Sequence, residues 1–538
     1  MPVSMTPPAH TTATPSLFSY RPQRAATGLL RRPLITAACM GVLVTAFSLT
    51  YSACAAAQGV QTLRIGIQDD VGTLDPARST QVVERMVFNA LCNGLVDMSA
   101  DLKVVPMLAT SWTVSADGKR LTFVLRKGAT FQDGEPFNAA AVKANLDRYR
   151  TMPTSVRRDE LSSIDHVDVV NDETVALILK APDASLLATL TDRAGIMLAP
   201  KTLSDAAGVA AHPVCSGPYK FVERVQNDRV VLEKWPGYWD SASYPIQKVI
   251  FMPMPDATVR LANLRSGSLD MLERLAPSDV NTVKGASNLQ LETISGLGFY
   301  DITFNIANGT KINPALKDKR VRQAFDLAID RNAVNQVIGN GLFTPAGQAI
   351  SPSSPYFDRA IPVVARDVTK AKALLKAAGY EHVNMQLTFG NNTISNQMAQ
   401  MIQAMEAEVG INVTLRPMDY AAALSASSHG DFEVLYKGWS GRPDPDGNLY
   451  QFLDTTGFLN YGRYSNTNVD HMLDEARTKP DVASRKALYD AVQKMAADDV
   501  PIAYIYYQPW PFALSKKVHG FKPYPDGLIR LKGVSISG

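Results

Sequence analysis

What the chain has little of sets the first limits. Its 538 residues hold only 7 His and 4 Cys. The two nearest histidines, His429 and His471, stand 42 positions apart. A zinc hydrolase ordinarily draws two His from one helical turn, so no metal centre is expected. Neither G-x-S-x-G, G-x-x-x-x-G-K-[ST] nor G-x-G-x-x-G occurs. The readily recognised serine-hydrolase, P-loop and dinucleotide sites are therefore absent, and no catalytic residue or cofactor is expected. A hydrolase whose Asp and Ser are scattered along the chain stays open as the rival of another class. After Leu49 no apolar run reaches the ~20 residues that span a bilayer.

The start of the chain differs from the rest. Residues 1–33 carry Arg21, Arg24, Arg31 and Arg32 with no acidic residue, followed by LITAACMGVLVTAFSL (34–49) and the small-residue stretch SACAAAQ (52–58). Basic, apolar, small is the order of a secretory signal peptide, here residues 1–57, with Ala55-Ala56-Ala57 as the cleavage region. Cys54 leaves lipid anchoring as an alternative, although Tyr51 stands where a lipobox has Leu. Arg31-Arg32 leaves Sec and twin-arginine export both open. Without this segment the chain keeps 50 of its 54 Lys+Arg against 51 Asp+Glu, a formal net of −1. The basicity belongs to the signal, so neither a nucleic-acid surface nor an anionic-membrane surface is expected. Two cysteines survive, Cys92 and Cys215; in an oxidising compartment they form either a disulfide or two separate buried thiols.

With 46% hydrophobic and 20% charged residues, the remainder has an ordinary globular composition, long enough for two to four domains. Alternating apolar residues mark strands at 61–67, 108–125, 164–180, 230–235 and 248–254, and helical spacing appears at 88–98, 138–150, 185–193 and 257–267. In the last of these Val259, Leu261, Ala262 and Leu264 are expected to face inward and Gly267 to end the helix. A second α/β cycle begins at 299. It carries helices at 313–339, 369–379 and 396–410 and strands at 299–307, 385–390 and 411–418, with Met398, Met401 and Met405 as a core stripe.

The loop KGWSGRPDPDGN (437–448) lies between two apolar stretches. Asp444 and Asp446, two positions apart in a Pro-containing loop, are expected to shape it through Asx-turns rather than act as a catalytic pair. A calcium site there would lack most of its oxygen ligands.

Several stretches together resemble one family. They are TLDPA (73–77), LATSW (108–112), DGKRLTFVLRKGATFQDGEPFNAAAV (117–142), SGPYKF (216–221), ITFN (302–305), KDKRVRQAFDLAIDR (317–331) and the loop 437–448. The chain resembles the extracellular solute-binding proteins of family 5, the dipeptide, oligopeptide and nickel class that serves ABC importers. The resemblance implies an α/β, two-lobed periplasmic-binding-protein fold (type II, cluster C) with an extra domain and a ligand cleft between lobes that close about a hinge. The implied segments are 58–90, 215–298 and 506–538 for domain I, 91–214 for domain II and 299–505 for domain III. It also implies a periplasmic monomer that captures a small solute and hands it to inner-membrane permease subunits.

In that family the loop matching 438–447 lines the cleft, and peptide binders carry an Asp after W-[ST]-G that pairs with the peptide's ammonium. Here that position is Arg442, which reverses the local charge and favours a carboxylate-bearing or peptide-like ligand, glutathione-like, opine-like or a metal chelate. Arg442 either contacts ligand or folds back onto Asp444 or Asp446. Trp439, Ser440, Gly441, Arg442, Asp444, Tyr300 and Arg157 are the expected ligand-binding residues. The alternative within the family is an ordinary di- or oligopeptide or nickel-chelate binder that anchors an amine through Asp70 or Asp444.

Overall fold

The structure, a computed structural model, describes residues 61–507 and 509–537. The expected signal peptide, with Cys39 and Cys54, lies outside the described residues. Three large sheets organise the chain. The first has seven strands in the order Leu289–Ile294, Trp510–Ser515, Met271–Leu272, Thr62–Ile67, Lys248–Pro253, Arg229–Lys234, Tyr219–Val225. Its centre, Thr62–Ile67, runs parallel to both neighbours. Leu63, Ile65 and Ile67, which share one face of this strand, are fully buried in the core, while Arg64 on the other face pairs with Asp270 at 2.8 Å.

The second sheet has six strands: Thr344–Pro345, Ile502–Tyr507, Phe299–Phe304, Val434–Trp439, Val383–Gly390 and Ile411–Met418. The third is an antiparallel sheet of four, Ala109–Val114, Arg120–Leu125, Thr174–Leu179 and Ile164–Asn171. Each sheet carries its own apolar core. The chain passes from the first sheet to the second between Ile294 and Phe299 and back between Tyr507 and Trp510, so two short connections join these two lobes. The strand Ile502–Tyr507 ends inside the second sheet, slightly beyond the expected boundary at 505.

Two helices correct the sequence reading, and a buried charge is the reason in both. The first helix runs Val82–Leu91 rather than 88–98, and its opening turn buries Glu84 and Arg85 among apolar neighbours. Charged residues at core positions broke the apolar periodicity there. In the helix Ala257–Ser266 the inward face is Ala257, Arg260, Leu261 and Leu264, while Val259 is 51% exposed. Arg260 occupies the core position and donates to the carbonyl oxygens of Met254 and Arg274. Gly267 closes this helix at φ 82°, a left-handed conformation that glycine adopts without strain. Asn138 caps the helix Ala139–Thr151 by accepting from the Ala141 amide at 2.9 Å.

Cys92 and Cys215 are joined by a disulfide across a sequence separation of 123 residues. It ties the end of the helix Val82–Leu91 to the segment that returns to the first sheet. Cross-linking so long a loop restricts the unfolded chain strongly, so the double variant Cys92→Ser/Cys215→Ser is expected to lose about 2–5 kcal/mol of unfolding free energy in a urea titration. A variant as stable as the wild type would show that the bridge contributes nothing.

Candidate functional site

Between the first and second sheets lies a cavity of about 830 Å³, its open mouth included. Its walls are built at the carboxyl ends of strands, where open α/β sheets leave room for ligands. Gln68 and Asp69 follow Thr62–Ile67, Arg274 follows Met271–Leu272, and Asn392 follows Val383–Gly390. Tyr420 opens the helix after Ile411–Met418, and Gly438, Trp439 and Ser440 end Val434–Trp439. Arg85, Arg193, Tyr300 and Trp510 complete the parts used below.

One carboxylate, itself outside the lining of the cavity, organises the charge beside Arg85 and Arg193. Asp192 meets Arg85 Nε at 2.9 Å, Arg442 Nη2 at 2.8 Å and Arg193 Nε at 3.7 Å. Arg85 also donates to Ser440 Oγ at 2.9 Å. Arg442 and Ser440 belong to the lobe of the six-stranded sheet, whereas Arg85, Asp192 and Arg193 precede the strands that return to the other lobe; both contacts therefore cross the cleft. Burial alone would raise the Asp192 carboxyl, but Arg442, Arg85 and Arg193 more than reverse this and hold it well below the usual range. The guanidiniums fare differently because three share one anion. Burial and the neighbouring cations push Arg442 down to about 9 and Arg193 down to about 10. These four side chains together carry surplus positive charge, tempered by Glu160 nearby; Arg442 Nη2 and Asp192 Oδ2 form an ion pair without hydrogen-bond alignment, and Arg193 Nε is buried without an acceptor.

Two sequence expectations for the loop are corrected here. Arg442 folds onto neither Asp444 nor Asp446, because Arg485 occupies Asp444 through two 2.7 Å hydrogen bonds and Arg477 occupies Asp446 at 2.8 and 2.9 Å. Asp444 Oδ1 accepts from the Asp446 amide at 3.0 Å, the Asx-turn geometry expected of it. Asp444 is not among the residues lining the cavity. Arg442 is not a lining residue; it touches the lining residues Ser440, by a 3.4 Å hydrogen bond, and Trp439, its guanidinium lying 4.2 Å from the ring centre.

Trp439 lines the cavity and is fixed by its Nε1–H bond to Asn448 Oδ1 at 2.8 Å and by an edge contact with Phe452. Gly441 is at φ 81°, and a Cβ there would stand 2.4 Å from the Leu297 carbonyl carbon, so the loop can pass this close only with glycine. Tyr300 lines the cavity and stacks on Tyr506 at 4.8 Å. Arg157 is not a lining residue: it is buried behind the Ser79–Thr80 segment, donating to Glu160 at 2.6 Å and to the Ser79 carbonyl at 3.1 Å. Asp70 is not a lining residue; Arg224 at 3.2 Å and the Asn227 amide at 3.1 Å both reach its Oδ2, and its Oδ1 is buried without a hydrogen-bond partner.

Asp69, Arg85, Arg193 and Arg274 were missed from sequence. Arg85 had a signal, a charge inside an otherwise apolar helical stretch. Arg274 had none, since its left-handed backbone, φ 51°, is visible only in the fold.

Asp192→Asn would leave three buried guanidiniums without their anion, at a cost of about 3–5 kcal/mol in urea unfolding. Because the Asp192 carboxyl is depressed in the folded protein, its stabilisation is present above its unfolded value of about 3.9 and is lost as pH falls below it. The wild type is therefore expected to lose stability below pH ~4 more steeply than Asp192→Asn; parallel pH profiles would contradict the assigned role.

Residues 103–460 match the model for bacterial extracellular solute-binding proteins, family 5. The chain is 29% identical over 488 residues to the glutathione-binding protein GsiB of Pectobacterium atrosepticum, covering 88% of this chain and 94% of that one. Among solved structures it is similar to the binding protein AgaA of A. tumefacien R10 in complex with agropinic acid. The TM-score is 0.82 and the identity 28%, covering 89% of this chain and 99% of that one. DppA of Helicobacter pylori, bound to the peptide STSA, shares the fold at a TM-score of 0.83 and 24% identity, over 89% of this chain and 98% of that one. The two-lobed α/β fold, the cavity between lobes and the family match agree, and the chain belongs to the family 5 bacterial extracellular solute-binding proteins.

Proposed function

We propose that this protein captures a small carboxylate-bearing, peptide-like solute in the cleft and delivers it to the permease of an ABC importer. The observation that carries this reading is the surplus of positive charge at Asp192, where three guanidiniums share one carboxylate and two of them, Arg85 and Arg193, line the cavity. A ligand carboxylate arriving there supplies the missing anion in a desolvated place, where planar guanidinium forks bind carboxylates well. Trp439 and Tyr300 offer flat apolar faces to the ligand's body, and Ser440 and Gly441 hold the loop that meets Arg85.

The relatives support the same chemistry, since glutathione and agropinic acid are both carboxylic acids. Ligand bridging the lobes favours the closed form, which the permease recognises. The protein binds its solute as a monomer in the periplasm and leaves it chemically unchanged. Export by the N-terminal segment accounts for that location, and no described helix is long and apolar enough to cross a membrane. Of the carboxylates considered for the amine in the ordinary peptide-binder alternative, Asp444 is taken by Arg485, and neither Asp70 nor Asp444 lines the cavity.

A thermal-shift screen over glutathione, agropinic acid, C-amidated dipeptides and nickel–histidine tests the proposal. A ligand at a hundredfold excess over Kd stabilises the folded form by about 2.7 kcal/mol, which such a screen detects. The acids are expected to raise the melting midpoint and to be recovered intact. Stabilisation by amidated dipeptides alone, or turnover of the bound ligand, would overturn it.

A further inference from the structure

A second cavity is bounded by the helix Val82–Leu91, the turn at 191–196 and the C-terminal segment 520–533. It encloses about 1340 Å³, its open mouth included, against about 830 Å³ for the cleft. The two cavities share Arg85 and Arg193 in their linings, and Asp192, which the cleft does not reach, lines the second one. The charged group around Asp192 is therefore a partition with a cavity on each side.

The charges on the second side are unevenly answered. Arg530 meets Asp526 at 3.0 Å and Asp97 at 3.3 Å, and Lys532 meets Asp240 at 2.7 Å. Lys522, an exposed lining residue, has no carboxylate within ion-pair distance among the described residues. Asp192 serves Arg85, Arg193 and Arg442 together, with Asp526 adding some compensation at Arg85. Arg85 spends Nε on Asp192 and Nη1 on Ser440, and Arg193 spends Nη1 on Ser79. The Nη2 of each makes no hydrogen bond among the described residues. Asn89, one helical turn on from Arg85, lines the second cavity and not the cleft, and its side-chain amide is also unspent. Next to these donors stand Phe88, Met107, Ile196, Tyr244 and Leu531. A few convergent donors beside an apolar wall make a small-molecule site.

We propose that this second cavity binds an amphipathic organic anion and that its occupancy opposes ligand in the cleft. The anionic group is received by Arg85, Arg193 and Asn89, and the apolar body lies against Phe88 and Tyr244. A carboxylate in the cleft draws on the same two guanidiniums from the other side, so the first anion to arrive takes up the positive charge that the second would use. The coupling is reciprocal, each ligand weakening the other by the same factor. The antagonism rests on the carboxylate reading of the cleft; the second site itself does not.

Fluorescence titration of the full chain with anilinonaphthalenesulfonate, an amphipathic anion, reads the second site directly. One-to-one saturable binding is expected, weakened about tenfold by Asn89→Trp, which fills the cavity, and about threefold by Lys522→Glu, which reverses an exposed charge. Saturating glutathione is expected to raise the probe's Kd to a plateau about fivefold higher, and calorimetry is expected to show the same factor for glutathione in saturating probe. Absence of saturable probe binding overturns the proposal, as does binding that neither substitution weakens. A probe Kd that climbs with glutathione without reaching a plateau places the probe in the cleft and also overturns it. A probe Kd indifferent to bound glutathione overturns the antagonism. If calorimetry detects no glutathione binding, the carboxylate reading and the antagonism resting on it fail together, while the two substitutions still decide the second site. A folding defect in Asn89→Trp leaves the Lys522→Glu comparison and the glutathione plateau intact.

Discussion

The arrangement of the cleft depends on one buried carboxylate, Asp192, to which three guanidiniums are drawn from separate parts of the chain. Arg85 comes from the first helix, Arg193 from the turn beside Asp192, and Arg442 from the loop that ends a strand of the other lobe. Removing four charged groups from water is costly, and a single anion cannot compensate three cations. Burial, and after it the crowding of cations, depresses Arg442 and Arg193. The shortfall of anions leaves a place that favours an added anion, and it draws the loop 440–442 across to the facing lobe.

The surrounding fold supplies the rigidity such a place needs. Glu84, fully buried one residue before Arg85, accepts from Ser79 Oγ and from the amides of Thr73, Thr80 and Gln81, and so fixes the cavity wall at Thr80. Arg157 and Arg193 both donate to the Ser79 carbonyl from behind. On the other side the Asp444–Arg485 and Asp446–Arg477 pairs fasten the rest of the loop to two helices. Contacts of this kind hold the polar side chains in a fixed geometry around the ligand space.

Much of the fold was legible in the sequence because its strands alternate cleanly and its helices carry caps. Ile164–Asn171 and Thr174–Leu179 were readable from alternation around a polar turn, and Ala139–Thr151 from Asn138. The reading slipped at Glu84-Arg85 and at Arg260, where a buried charge stands in a core position and breaks apolar spacing. The loop 437–448 was recognisable, and so was the unusual sign of Arg442. The partner of Arg442 was not, since Asp192 lies 250 positions upstream and no local pattern connects them. The same holds for Arg274 and Asp69, which become neighbours only when two parallel strands are laid side by side.

The central claim is that the three-guanidinium cluster receives a carboxylate of the solute. A crystal structure of the protein with glutathione tests it most directly. The account predicts a ligand carboxylate oxygen within hydrogen-bond distance of Arg85 or Arg193, with the Arg442–Asp192 contact closed behind it. A bound ligand whose carboxylates all lie away from these two residues would contradict it.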